Sequence, residues 1–405
     1  MGRKTKVSVQ AFGYASKTDW MMDKVDIIIV GGGPVGLYLA GRLLQNGFSC
    51  KVFEQRENID IHSKSLGIHP VSLDLFDRAG ITQPFLDNGL KIECGLAFID
   101  EEPVGEVSFQ SCPPPHSYIL AIPQWKTEEL LEDWVKALDS EALTRGAHVE
   151  KLENSEHQTS VTYSTKEGNH QVSSDFVVGC DGKSSFVRNS CNISFKGSSY
   201  PDTYIMGDFD DNTAFGKDAA VFLHKDGLVE SFPLPNGQRR WVVKTDNFIK
   251  EPGESLLTEQ IFRRTHHHLG ECENYMLSSF GVQHLLAETF HKNRVVLAGD
   301  AAHVVSPIGG QGMNLGWIDA EECLNTMIRI RQNPANKELY LKNYTTNQRK
   351  VAGQVAKRAE MNMRLGRKES ANFWMRSGLK IVLKSPLKHL LARIFTMRGL
   401  GRWPI

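Results

Sequence analysis

Val25-Asp26-Ile27-Ile28-Ile29-Val30-Gly31-Gly32-Gly33-Pro34-Val35-Gly36 is the stretch on which the reading of this 405-residue chain turns. Its apolar run, with one polar break, suits a strand buried on both faces. The strand leads straight into G-x-G-x-x-G. Leu37, Ala40, Leu43 and Leu44 then share one helical face up to about Asn46, where Gly47 is a stop signal. A second strand is expected at Cys50–Glu54. The glycines divide the work: Gly31 makes the tight turn, Gly33 lets a pyrophosphate approach, and Gly36 lets helix and strand touch. The helix N-terminus offers its positive end to the anion. Glu54 falls roughly twenty residues further on, where a carboxylate takes the ribose hydroxyls of an adenine dinucleotide. Strand, turn, helix, strand and acid in register imply a dinucleotide site that includes Pro34, Val35 and Gln55. An acid at that position favours NAD or FAD over NADP.

Composition narrows the remaining classes. Lys+Arg and Asp+Glu are 47 each, so charge gives no argument for nucleic acid. Seven cysteines are scattered without a C-x-x-C, so neither a disulfide framework nor a metal site is expected, and a reducing cytoplasm is. No apolar run is long enough for a membrane span. Residues 1–23 are polar and basic, lack the apolar core of a secretory signal, and read as a disordered arm.

Glycines cluster again late in the chain. Arg294-Val-Val-Leu-Ala-Gly299-Asp300 reads as a buried strand ending in Gly-Asp, followed by His303, Pro307, Gly309, Gly310, Gly312, Met313 and Asn314 at the entry to a helix. Such a loop brings backbone N–H groups close to a flat or anionic ligand. Asp300 sits at the carboxyl end of a strand, where open α/β sheets bind ligands. Between the two clusters, residues 148–178 read as a β meander running into Asp181-Gly182 and a helix. Residues 192–285 alternate as an antiparallel sheet, with strands near 203–209, 219–223, 228–234 and 240–245 and a hairpin signal at Asn236-Gly237. His266, His267 and His268 are expected on a polar helix, where three adjacent side chains cannot share a face.

Three motifs in order, GGGPVG with Glu54, Cys180-Asp-Gly-Lys-Ser-Ser-Phe-Val-Arg188, and Ala298-Gly-Asp-Ala-Ala-His303 with Pro307 to Asn314, resemble the class A (single-component) flavoprotein aromatic hydroxylases, the para-hydroxybenzoate hydroxylase-like group. The resemblance implies an α/β fold: a Rossmann-like FAD-binding domain of the GR2 type (24–90, 124–190 and 286–350), an inserted antiparallel substrate sheet (91–123 and 191–285) and C-terminal helices (351–405). It implies FAD pyrophosphate on Gly31, Gly33 and Gly36, adenosine ribose on Glu54, and the phosphoribityl chain near Gln124. Asp181 would serve FAD and nicotinamide, Asp300 the ribityl chain, and Pro307, Gly309, Gly310, Gly312, Met313 and Asn314 the reactive ring. Lys64 stands where the family usually has arginine; it keeps the charge without the bidentate phosphate geometry. Arg188 and His303 are left open between a ligand role and fixing a helix start.

The implied activity is monooxygenation. NADPH or NADH reduces the flavin, O2 adds at C4a as a hydroperoxide, and one oxygen enters an aromatic or other electron-rich small molecule. No catalytic base can be named from the sequence; His116, Tyr118, Tyr204 and His224 are candidates by region. A flavin epoxidase, halogenase or reductase of the same fold, and a non-catalytic binding protein, stay open. The basic tail after Arg364 is expected to pack on the FAD domain, with a weak membrane-surface contact as the other reading. A monomer or homodimer in the cytoplasm, with attachment at a membrane surface as the alternative, completes the expectation.

Overall fold

A computed structural model describes residues 24–61, 65–367 and 373–399. The N-terminal arm, Lys64 and part of the tail lie outside the described residues.

The chain opens as expected. β1 (Lys24–Val30) is buried toward its end and feeds α1 (Pro34–Gln45), followed by β2 (Cys50–Glu54). Gly31 turns at φ +106°, and a Cβ on it would lie 2.3 Å from the Cys180 carbonyl oxygen. Next come β3 (Gly67–Ile68), α2 (Pro70–Ala79), α3 (Thr82–Asn88), β4 (Leu90–Ile92), β5 (Cys94–Ile99), β6 (Glu102–Ser108) and β7 (Ile119–Ala121). α4 (Gln124–Leu138) then packs on α1, where Gly41 leaves room for the Trp134 ring. β8 (Leu143–Arg145), β9 (His148–Asn154), β10 (Thr159–Thr165) and β11 (Gly168–Gly179) lead to α5 (Phe186–Ser190).

The second half holds β12 (Phe195–Asp210), β13 (Ala219–His224), β14 (Gly227–Pro233), β15 (Gln238–Thr245), α6 (Glu254–Thr265), β16 (Asn274–Ala287), β17 (His291–Lys292), β18 (Val295–Leu297) and β19 (His303–Val304). The helices α7 (Gln311–Gln332), α8 (Lys337–Leu365), α9 (Phe373–Lys384) and α10 (Lys388–Phe395) follow. Asn236 and Gly237 turn β14 into β15 with φ +66° and +73°, values that suit Asn and Gly.

Two eight-stranded sheets carry the molecule. In the first, β18, β11, β1, β2 and β8 are parallel neighbours, and β9 and β10 extend it antiparallel from β11. α1 and α7 cover it, close enough that Gly316 meets the Val35 side chain. The second runs β19-β16-β12-β15-β14-β13-β5-β6. β3, β7 and β4 form a small third sheet.

Several expectations need correction. β4 and β7 leave the substrate sheet: β7 is the middle strand of the small sheet, paired antiparallel with β4 on one edge and with Gly67-Ile68 of β3 on the other. β16, a fourteen-residue strand, carries no clean alternation because its exposure is mixed along its length. The histidine run is not helical: α6 ends at Thr265, His266 caps it at φ +52°, and the three rings go to different partners, Glu101, Trp241 and Phe262. The tail is shared between the two sheets: α9 and α10 pack on β6, with Leu383 and Ala392 joining the Ile99–Val104–Val107 cluster, while Met397 enters the core under the parallel sheet and Arg398 pairs with Asp74 of α2. No helix among the described residues is long and apolar enough to cross a membrane.

Candidate active site

A cavity of about 930 Å³ lies where the carboxyl ends of β1, β2, β11 and β18 face the second sheet. Its walls bring together Gly31, Gly33, Pro34, Val35, Glu54, Gln55, Gln124, Asp181, Asp300, Pro307, Gly309, Gly310, Gly312 and Met313, from five separate parts of the sequence. Gly36 and Asn314 stand behind the wall as supports.

At the α1 end, Gly33 is the N-cap residue and no side chain caps the helix. A Cβ there would meet nothing within 4 Å, so the free N–H groups of the first turn face open cavity. Gly36 differs: its Cβ would lie 2.0 Å from the Gly31 carbonyl oxygen. Glu54, 5% exposed, accepts the Gly32 N–H at 2.8 Å with one oxygen. Its other oxygen takes the Arg56 N–H at 2.9 Å and Nε at 3.0 Å. Arg56 also reaches Glu128, which accepts from Gln124 Nε2 at 2.8 Å. Burial raises the Glu128 pKa against the opposing pull of Gln124 and Arg56. Sequence reasoning missed Arg56 and Glu128, although Gln124 and Glu128 stand four apart on one helix.

At the α7 end, Gly309 and Gly310 turn at φ +86° and +64°, where a side chain is strained. Gly310 is the N-cap residue and again no side chain caps the helix. Asn314 holds this loop in place. Its Oδ1 accepts the His69 N–H at 2.8 Å, and its Nδ2 donates to the carbonyls of Gly67 (2.9 Å) and Gly310 (2.8 Å). Burial lowers the His69 pKa to about 4, so its ring is neutral at pH 7. Because a carbonyl can only accept, the ring donates Nε2–H to Gly309 at 3.0 Å. Asp300 opens onto the cavity, and its carboxylate has no hydrogen bond among the described residues. Desolvation raises its pKa, against His303 and Lys183.

The two open cases have structural answers. His303 Nε2 pairs with Asp319 at 2.5 Å inside the core, and the same carboxylate oxygen accepts the Gly299 N–H at 3.0 Å. Burial alone would lower the His303 pKa; the Asp319 charge and hydrogen bond outweigh it and raise it. Arg188 donates to the carbonyls of Ala301 and Lys183 and lies 3.9 Å over the Phe195 ring. Both residues position the Gly-Asp loop. Asp181 lines the cavity, yet its carboxylate serves α5, accepting from Ser185 Oγ (2.5 Å) and the Val187 N–H (3.0 Å).

Beyond the loop the cavity becomes an apolar chamber. The second sheet gives it Leu96, Met206, Val221, Leu228, Phe232 and Val242, and the tail closes it with Leu379, Leu383, Leu391 and Phe395. His116 and Tyr118 are elsewhere, bonded to each other at 3.0 Å, with the other ring nitrogen of His116 on Asp77 at 2.6 Å. His224 is also off the wall, beside Asp226, and Tyr204 is buried behind it. The acid that faces the chamber is Glu230, which sequence reasoning missed. The signal was available: alternation along β14 places Glu230 on the face of Leu228 and Phe232, a carboxylate in an apolar row.

Two uncapped helix N-termini, an open glycine and a carboxylate without a hydrogen bond among the described residues surround one end of the cavity, and FAD fits the donors present. Comparison agrees. Residues 24–359 match the family described as FAD binding domain, and the chain belongs to that family. Its resemblance to the class A aromatic hydroxylases holds at this level.

The chain is 33% identical over 307 residues to an uncharacterised aromatic compound monooxygenase of Bacillus subtilis, covering 74% of this chain and 60% of that protein. It is 32% identical over 302 residues to a rifampicin monooxygenase of Streptomyces venezuelae, covering 73% and 62%. Among solved structures, an anhydrotetracycline hydroxylase from Streptomyces rimosus superposes with a TM-score of 0.77 at 27% identity, covering 94% of this chain and 77% of that one. The chain thus spans about three fifths of the length of the curated relatives it matches.

Proposed function

We propose that the protein is a flavoprotein monooxygenase that uses FAD, NADH or NADPH, and O2 to place one oxygen atom on an aromatic or similarly electron-rich small molecule. The observation that carries the reading is a single cavity with a polar, helix-terminated end and an apolar end. The names of the relatives support an aromatic substrate. When bound, FAD would supply the redox chemistry, with reducing equivalents drawn from the nicotinamide and one oxygen atom of O2 going to substrate while the other leaves as water.

The chain's own groups do the rest. The α1 N-terminus and Gly33 would hold the pyrophosphate, and Glu54, already set by Gly32 and Arg56, would take the ribose. Asp300 would accept from the ribityl hydroxyls. The N–H groups opening α7 would stabilise negative charge developing on the ring's carbonyl edge. Asn314 and His69 fix those donors in place before substrate arrives. The apolar walls and tail helices would exclude water from the reacting centre. We place the enzyme in the cytoplasm as a monomer or homodimer, the tail acting as chamber wall.

The test is direct. Purified protein should be yellow, release FAD on heating, and consume NAD(P)H faster with a phenolic or polyketide substrate that gains one oxygen. Absence of bound flavin, or flavin that NAD(P)H cannot reduce, would sink the proposal.

A further inference from the structure

Glu230 is 8% exposed, on the central strand of the chamber face. Its cross-strand neighbours are Val221 on β13 and Val242 on β15, and along β14 it lies between Leu228 and Phe232. All five side chains line the cavity. Glu230 has no hydrogen bond and no ion pair among the described residues. A carboxyl desolvated without a partner is costly, and such a site survives in a fold when a ligand supplies what the protein withholds.

The cations on this sheet face are committed elsewhere. Arg240 binds Asp208 through Nε at 2.6 Å and a terminal nitrogen at 2.8 Å. Lys244 pairs with Asp202 at 3.6 Å. Tyr204, from β12, keeps a buried hydroxyl without a hydrogen bond; burial first, and Glu230's charge second, raise its pKa. A negatively charged ligand in the chamber would therefore meet a carboxylate with no free cation facing it among the described residues. A ligand carrying a hydrogen-bond donor would meet an acceptor that has no other partner.

We propose that Glu230 determines specificity: its carboxyl accepts a hydrogen bond from a hydroxyl or amino group on a neutral or cationic aromatic substrate, and it rejects aromatic carboxylates. The proposal rests on the monooxygenase reading of the cavity and names the substrate class within it. Burial alone pushes the Glu230 pKa to about 7, so the rejection weakens as pH falls below neutrality. The other charged groups on this face are the Arg240–Asp208 and Lys244–Asp202 pairs, and Tyr204, its pKa raised by burial first, stays neutral over that range.

The test uses the FAD-loaded protein titrated with 2-naphthol, 2-methoxynaphthalene and 2-naphthoate by calorimetry, at about pH 8 and about pH 6, either side of the Glu230 transition. Wild type should bind 2-naphthol at least about tenfold more tightly than either analogue at the higher pH, the size expected for a hydrogen bond to a charged group. The 2-naphthoate gap should narrow at the lower pH. Glu230→Leu should erase the preference for 2-naphthol over its methyl ether. Glu230→Gln should admit 2-naphthoate and remove the pH dependence. Unchanged ratios in both variants, or wild type taking 2-naphthoate as tightly as 2-naphthol at the higher pH, overturn the proposal. The monooxygenase reading fails separately, if wild type holds no flavin or NAD(P)H does not bleach it.

Discussion

The isolated Glu230 carboxyl makes a stability prediction that needs no substrate. In water the group has a pKa of 4.5, and in the fold it is pushed up to about 7 by burial. Below the lower value the acid is neutral in both states and contributes nothing. Between the two, the unfolded chain ionises while the folded protein holds its proton, so stability falls as pH rises. Above the upper value the full cost is present, about 3 kcal/mol at roughly 1.4 kcal/mol per pH unit. Glu230→Gln keeps the shape and removes the charge. It should stabilise the protein by about 1 kcal/mol near pH 5 and about 3 kcal/mol near pH 8. Urea-unfolding midpoints of wild type and variant across that range, read by tryptophan fluorescence, measure the difference. A variant whose advantage is the same at both ends, or absent, would refute the placement of Glu230 in a dry chamber without a partner.

Three further predictions concern the cradle and its support. Asp300→Ala should leave a folded apoprotein and weaken FAD binding by about ten- to a hundredfold, read as flavin retained after gel filtration; full occupancy would mean the cofactor is placed wrongly. Gly33→Ala should match wild-type apoprotein in thermal unfolding, since its Cβ meets nothing, and lose at least about tenfold in FAD affinity, whereas Gly36→Ala should yield little soluble protein because its Cβ would overlap the Gly31 carbonyl. Equal behaviour of the two alanines would contradict the geometry. Asp319→Ala should cost about 3–5 kcal/mol in unfolding free energy, since it strands the buried His303 and frees the Gly299 N–H. A melting temperature unchanged from wild type would show that this pair does not hold the loop.

The glycine turns of the candidate site were legible because they depend on local backbone. A strand, a glycine turn and a helix N-terminus form from adjacent residues, so Gly31, Gly33, Gly309 and Gly310 could be located from the chain alone. The acid at the end of β2 was visible too. Its present partners were not, because Arg56 reaches back to Glu54 and across to Glu128, 72 residues away.

The support layer was harder to read. Asp319 looks like any helical acid until α7 packs it under Gly299 and beside His303. Arg188 looks like a ligand-binding cation until its guanidinium is seen on the Ala301 carbonyl and the Phe195 ring. Both are buried polar groups whose meaning lies in long-range hydrogen bonds, which no local pattern encodes.

The sequence by itself determined the first glycine turn, the late glycine loop, the acids beside them and the presence of an inserted, largely antiparallel sheet. These follow from backbone freedom, alternation and short-range spacing. Tertiary structure alone decided that β5 joins that sheet parallel to β13, that β4 and β7 leave it, that α9 and α10 close the chamber, and that Glu230 faces inward without a partner. Those outcomes depend on which faces are covered when segments far apart in the chain come together, and burial of that kind is a property of the packed molecule.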